Sequence, residues 1–161
     1  MKNVYNVLTQ INQYLEAHPL VNSVTFGDIF EVDLKKQTIF PLAHVMLGDA
    51  TFTGASLNVV EIQVNIIVMD IVDVSKEDIR DQEVPFNGID NVQDVLNSTL
   101  VVCNGLAADL IRGDLHTDKY QLSSGSDISC NPFMDRFENK LAGWNMTLNI
   151  QTPNDELSVC A

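Results

Sequence analysis

The residues best equipped for acid–base or metal chemistry in this sequence are few. There are three histidines, His18, His44 and His116. His116 stands two positions before Asp118, a spacing that puts imidazole and carboxylate on one side of a strand, where they could share a proton or a cation. Two residues alone make a weak pattern. A small metal-binding or hydrolytic enzyme using His116 and Asp118 is the alternative from the enzyme class. His44, between Ala43 and Val45, reads as a structural residue of a strand. His18 precedes Pro19 at a helix end, where it suits the macrodipole. Asp28, Glu31 and Asp33 could gather a cation, although a solvated acidic loop is the plainer reading. The cysteines, Cys103, Cys130 and Cys160, are odd in number and show no C-x-x-C spacing, so neither a disulfide framework nor a zinc site is expected. A catalytic thiol needs a base or a helix N-terminus to lower its pKa, and the sequence identifies neither.

Phosphate-binding, dinucleotide-binding, zinc-protease, nucleophile-elbow and EF-hand patterns are missing from the sequence. The expectation is therefore no enzyme, with no catalytic, cofactor-binding or metal residues to assign. The formal net charge of −13 bears on partners. Such a surface repels phosphate and anionic lipid at long range, which argues against free-standing nucleic-acid binding and against membrane docking. An acidic wall would still let DNA slide past without sticking, while its plainest role is solubility. With 161 residues, 45% of them hydrophobic, the chain can close one core. No signal peptide is read at the start, and the near-apolar run from Ile66 to Met69 is far too short to span a bilayer.

The most telling residues are uncharged. In the last alternating segment Asn145, Thr147, Asn149 and Gln151 face one way, while Trp144, Met146, Leu148 and Ile150 face the other. An uncharged polar strand lacks the lysines that blunt an edge, so this one is a candidate for pairing with a neighbouring subunit; an ordinary solvated face is the competing reading. Glu61, Gln63 and Asn65, on the polar side of another alternating segment, join it as candidate subunit-interface residues.

Elements follow from periodicity. Residues 2–17 repeat apolar side chains at helical spacing (Val4, Val7, Leu8, Ile11, Tyr14, Leu15), and His18-Pro19 stops the helix. Short strands are expected over 21–26 and 29–33. Another runs from Pro41 to Leu47, where Gly48-Asp49 punctuates it. Residues 57–72 alternate most strongly, with Val60, Ile62, Val64, Ile66 and Val68 on one side. At ~3.3 Å per residue this strand would reach roughly 50 Å, so part of it is expected to project as a β-arm. A polar connector over 73–85 leads to a long helix over 88–112. Asn87 caps it, and Val92, Leu96, Thr99, Cys103, Leu106 and Leu110 form its stripe. Gly105 sits inside that helix at ~1 kcal/mol relative to alanine, as if for close packing on the sheet. Strands clustered in runs give an α+β class: a mostly antiparallel sheet packed by two helices, with a projecting β-hairpin. Residues 1–153 form a single domain and 154–161 a loose tail in this reading.

Two stretches carry a family resemblance. The segment Asn131-Pro132-Phe133-Met134-Asp135-Arg136-Phe137-Glu138-Asn139-Lys140-Leu141-Ala142-Gly143-Trp144, leading into an alternating strand that stops at Pro153, resembles small neck and tail proteins of tailed bacteriophages. So does Phe40-Pro41-Leu42-Ala43-His44-Val45 with Gly48 and the long strand beyond. The order of helix, hairpin, helix, hairpin is similar to that of tail-terminator and head–tail connector proteins. The resemblance implies a virion protein, assembled in the host bacterial cytoplasm, that forms a ring of about six or twelve copies around the DNA exit channel. Its partners would be further copies and neighbouring neck and tail proteins; DNA would pass through without tight binding, and no membrane is involved. A tail-tube or baseplate subunit is the alternative within the class.

Overall fold

The protein is described from a computed structural model at residues 4–27, 39–52, 59–72, 91–112, 115, 121–122, 127–136 and 140–153. The apolar stripe of the first segment does form a helix, α1 (Val4–Ala17), which buries Val7, Leu8, Ile11 and Leu15 and leaves Gln10 and Gln13 in water. Strands β1 (Ser23–Phe26), β2 (Leu42–Phe52) and β3 (Val59–Ile71) come next. The second helix, α2 (Val92–Arg112), separates them from β4 (Gln121–Leu122), β5 (Ser129–Arg136) and β6 (Leu141–Pro153). These make an α+β fold around one six-stranded sheet of order β1-β2-β3-β6, with β4 and β5 both beyond β6. All pairings are antiparallel except β1 with β2.

Both helices cover the same side. Val60, Ile62, Val64, Ile66 and Val68 of β3 form one core with Met146, Leu148 and Ile150 of β6, Ile11 and Leu15 of α1, and Val102 and Leu106 of α2. Transfer of such side chains from water stabilises a fold by ~1.5–3 kcal/mol each. A smaller cluster of Leu42, Ile67, Met69, Phe133 and Leu141 lies on the opposite side at one end. It explains the unbroken run Ile66-Ile67-Val68-Met69: there β3 is buried on both faces, so alternation gives way to a continuous apolar stretch.

Four local expectations need correction. Gly48-Asp49 does not end β2; the strand runs on to Phe52, with an irregularity in register between Leu47 and Ala50 that absorbs one extra residue as a bulge. The helix α2 begins at Val92 and not at 88, with Asn91, whose carbonyl accepts from Val95 N at 3.0 Å, just before it; Asn87 lies outside the described residues. Its buried stripe includes Val95 and Val102, with Val92 and Leu96 only half-buried. Gly105 meets α1 and not the sheet: a Cβ there would stand 2.6 Å from Tyr14 Oη.

The β2–β3 hairpin overhangs on one limb only. From Leu47 to Phe52 every β2 residue is exposed on both faces, while the paired Val60, Ile62 and Val64 of β3 stay covered. The reason is lateral: β3 has β6 beside it and Val7 and Leu8 of α1 above it, whereas among the described residues β1 pairs with β2 only from Leu42 to Val45. The segments 29–33, 53–58, 73–85 and 154–161 lie outside the described residues, wholly or in the parts that matter.

Candidate functional site

The seven residues singled out in two separate segments, six uncharged and one a glutamate, come together. β3 and β6 pair along their whole length, and the register sets Glu61 opposite Gln151, Gln63 opposite Asn149, and Asn65 opposite Thr147. Because side chains alternate, all of these, with Asn145, point away from the helices and form one continuous polar patch. Thr147 Oγ1 donates to Asn65 Oδ1 at 2.9 Å, and Gln151 Nε2 makes a long 3.5 Å contact with Glu61 Oε2. Cross-strand pairs of this kind hold side chains in fixed positions at ~0.2–1 kcal/mol each. Each of the seven is half-buried by its neighbours.

The expectation that β6 is an edge strand is overturned. It pairs with β3 on one side and with β5 and β4 on the other, so its backbone groups are committed. What it offers is a face. Sequence reading missed the breadth of that face: Ser129 and Asn131 of β5 lie opposite Thr147 and Asn145 and are exposed, and Thr51 of β2 lies opposite Glu61. The signal was present in the alternation of Ser129 and Asn131 around Cys130, but Pro132 obscured the strand. Asn145 Oδ1 is buried with no hydrogen-bond partner among the described residues, a state that costs ~1–3 kcal/mol.

Other reactive groups are tied into the fold. His44 is buried; its Nε2–H donates to the Gly27 carbonyl at 3.0 Å, which leaves Nδ1 of the neutral ring to accept from the Thr25 hydroxyl at 2.7 Å. A hydroxyl–imidazole pair could serve nucleophilic catalysis. Here it clamps β1 to β2 at a turn where Gly27 takes a φ of 125°, beneath the surface. His18 Nδ1 accepts from Leu20 N at 3.2 Å, closing the turn after α1. Cys103 of α2 and Cys130 of β5 are in hydrogen-bond contact. Burial, then the neighbouring Cys130 sulfur, pushes the Cys103 thiol from 9.0 up to about 12; burial also raises Cys130. Both are therefore poor nucleophiles. Asp70 is raised as well, chiefly by burial, against the opposing hydrogen bond from Ile71 N. A cavity of about 10 Å³ between α1 and the sheet, lined by Val7, Leu8, Ile62, Val64, Ile150 and Thr152, holds at most one water. His116, Asp118, Asp28, Glu31, Asp33 and Cys160 lie outside the described residues, and among the described residues no three metal-ligating side chains gather.

In sequence comparison the chain matches no protein-family model and no curated protein.

Proposed function

We propose that this chain is a structural subunit of a tailed-bacteriophage virion, a ring-forming protein at the neck or tail end that surrounds the DNA exit channel. The observation that carries the reading is the polar face of β3 and β6. In a chain of net charge −13, docking on another virion protein is least costly where carboxylates are fewest. Among the seven face residues only Glu61 is charged, and it lies beside Gln151. A hydrogen-bonding face with a single charge suits a protein surface better than a small substrate. The resemblance of residues 40–48 and 131–153 to neck and tail proteins supplies the setting.

Light scattering after size exclusion, over a concentration series, tests this. A discrete closed oligomer of about six or twelve copies is expected. Open polymers growing with concentration would favour a tail-tube subunit, and a strict monomer at high concentration would count against self-assembly.

A further inference from the structure

We infer that copies of this chain meet side by side, the outer flank of α2 in one copy lying on the uncovered strip of β2 in the next. The inference rests on the reading of the chain as a self-assembling subunit, and it names the contact.

The first half of the contact is a helix with more apolar surface than its own core uses. Helix α2 is long and apolar enough, by length and composition alone, to cross a membrane, yet its inner side packs on the sheet through Val102, Leu106 and Leu110, and through Val95 against Val72 and Ala142. No charged residue occurs in it between Asp94 and Asp109. Leu100 and Ile111 are nonetheless 38% and 54% exposed. At ~100° per residue these two fall within about 20° of each other, and roughly 120–140° round the helix from Gly105. Tyr14 of α1 rests on Gly105, so the Leu100–Ile111 flank points away from α1. Since α1 lies toward β1 and α2 over β3 and β6, that flank looks out over the β5 margin of the sheet.

The second half lies at the other margin. Leu47 pairs with Val64, Phe52 with Val60, and Phe26 with Val45, all core-facing positions, so these three side chains point to the helix side of the sheet. They are 44%, 59% and 46% exposed, because no described residue covers them. The strip has the surface that a sheet normally presents to a helix, and the chain carries a helix with an unburied apolar flank. Charge agrees. The strip's single charge is Asp49, and Arg112 directly follows Ile111 at the end of α2, while Asp109, about 160° round the helix from Ile111, lies toward Tyr14 of α1.

Two different patches at opposite margins make a heterologous contact, which repeats from copy to copy and closes a ring when the rotation permits. The polar face of β3 and β6 is on the other side of the sheet and stays open to a second protein layer.

The test uses two surface variants of the whole chain, Ile111→Asp and Phe52→Asp, with thermal melts to check that both keep the wild-type fold. Wild-type protein should give a discrete oligomer by light scattering. Each variant alone should lose at least tenfold in self-association, because a carboxylate replaces an apolar contact. An equimolar mixture should give a dimer of one copy of each and nothing larger, since each variant retains the patch the other lacks. If both variants assemble like the wild type, the contact is wrong and self-assembly stands. Loss with Ile111→Asp alone would mean that helices meet each other about a two-fold axis, which also overturns the contact. A monomeric wild type would remove both this inference and the ring reading.

Discussion

On the helix side of β3 and β6, Val60, Ile62, Val64, Ile66, Met146, Leu148 and Ile150 are almost fully removed from water. On the other side of the same two strands Glu61, Gln63, Asn65, Thr147, Asn149 and Gln151 remain half in water. Backbone, register and length are identical for both sets, since they alternate residue by residue. Only the side chains differ, and they divide the work: the first set supplies most of the burial that stabilises the fold, and the second supplies a surface whose composition is nearly independent of stability. A face so little needed for folding can take whatever residues a partner requires.

Substitutions probe that division, and the largest effect is expected where the two faces share one backbone. A Cβ at Gly143 would overlap the Val68 carbonyl oxygen and stand 2.9 Å from Met69 Cα, so Gly143→Ala must force β3 and β6 apart. We expect a loss of about 3 kcal/mol or more, read as a lower urea midpoint. A loss under ~1 kcal/mol would mean that the central pair tolerates separation.

Next comes the direct contrast between neighbours. Leu148→Ala should cost ~2–5 kcal/mol through a buried cavity, whereas Asn149→Ala, one residue on and facing the other way, should stay within ~0.5 kcal/mol. Equal losses would abolish the distinction between the faces.

The thiol of Cys103 sharpens the comparison through pH. Burial of this α2 residue lets the folded state keep a proton that the unfolded chain releases near 9, so the unfolded state binds fewer protons from there to about 12. That contribution is intact below pH 9 and is lost as pH rises, at up to ~1.4 kcal/mol per pH unit. Urea titrations between pH 9 and 11 should show a steeper decline for wild type than for Cys103→Ala.

The smallest expected effect on stability is the most informative for assembly. Thr147→Lys should leave the urea midpoint nearly unchanged, within ~1 kcal/mol, while weakening contact with whatever protein meets the polar face. Under the proposed virion role, co-sedimentation with purified phage tails reads this, and unchanged binding would detach the face from assembly.

Much of this arrangement was legible in residue order, and the misses have local causes. Helical spacing in α1 and strict alternation in β3 and β6 marked the core side correctly, because burial on one face leaves a period that no other structure shares. The two polar rows were also visible, each in its own segment. That they lie opposite each other was not, because pairing is decided by which strands sit adjacent. The same gap turned β6 into an expected edge: β5, which covers it, begins with Ser129-Cys130-Asn131-Pro132, and proline demotes a strand reading. Gly48-Asp49 signalled a turn, and a bulge absorbed it. Asn87 and Asn91 are both acceptable caps, and local chemistry gave no reason to prefer the later one. The parallel pairing of β1 with β2 left no trace in four residues.

The pairing of Asn65 with Thr147 joins positions 82 residues apart. During synthesis β3 is complete about seventy residues before β6 begins, an interval of roughly 4–14 s at 5–20 residues per second. Throughout it the nascent chain holds a long apolar strand whose inner neighbour has not yet been made. The chain therefore gains its central ladder late, and its hazard in the cell is the wait: a stall or truncation between Ile71 and Leu141 would leave an open, sticky hairpin as a substrate for chaperones and proteases.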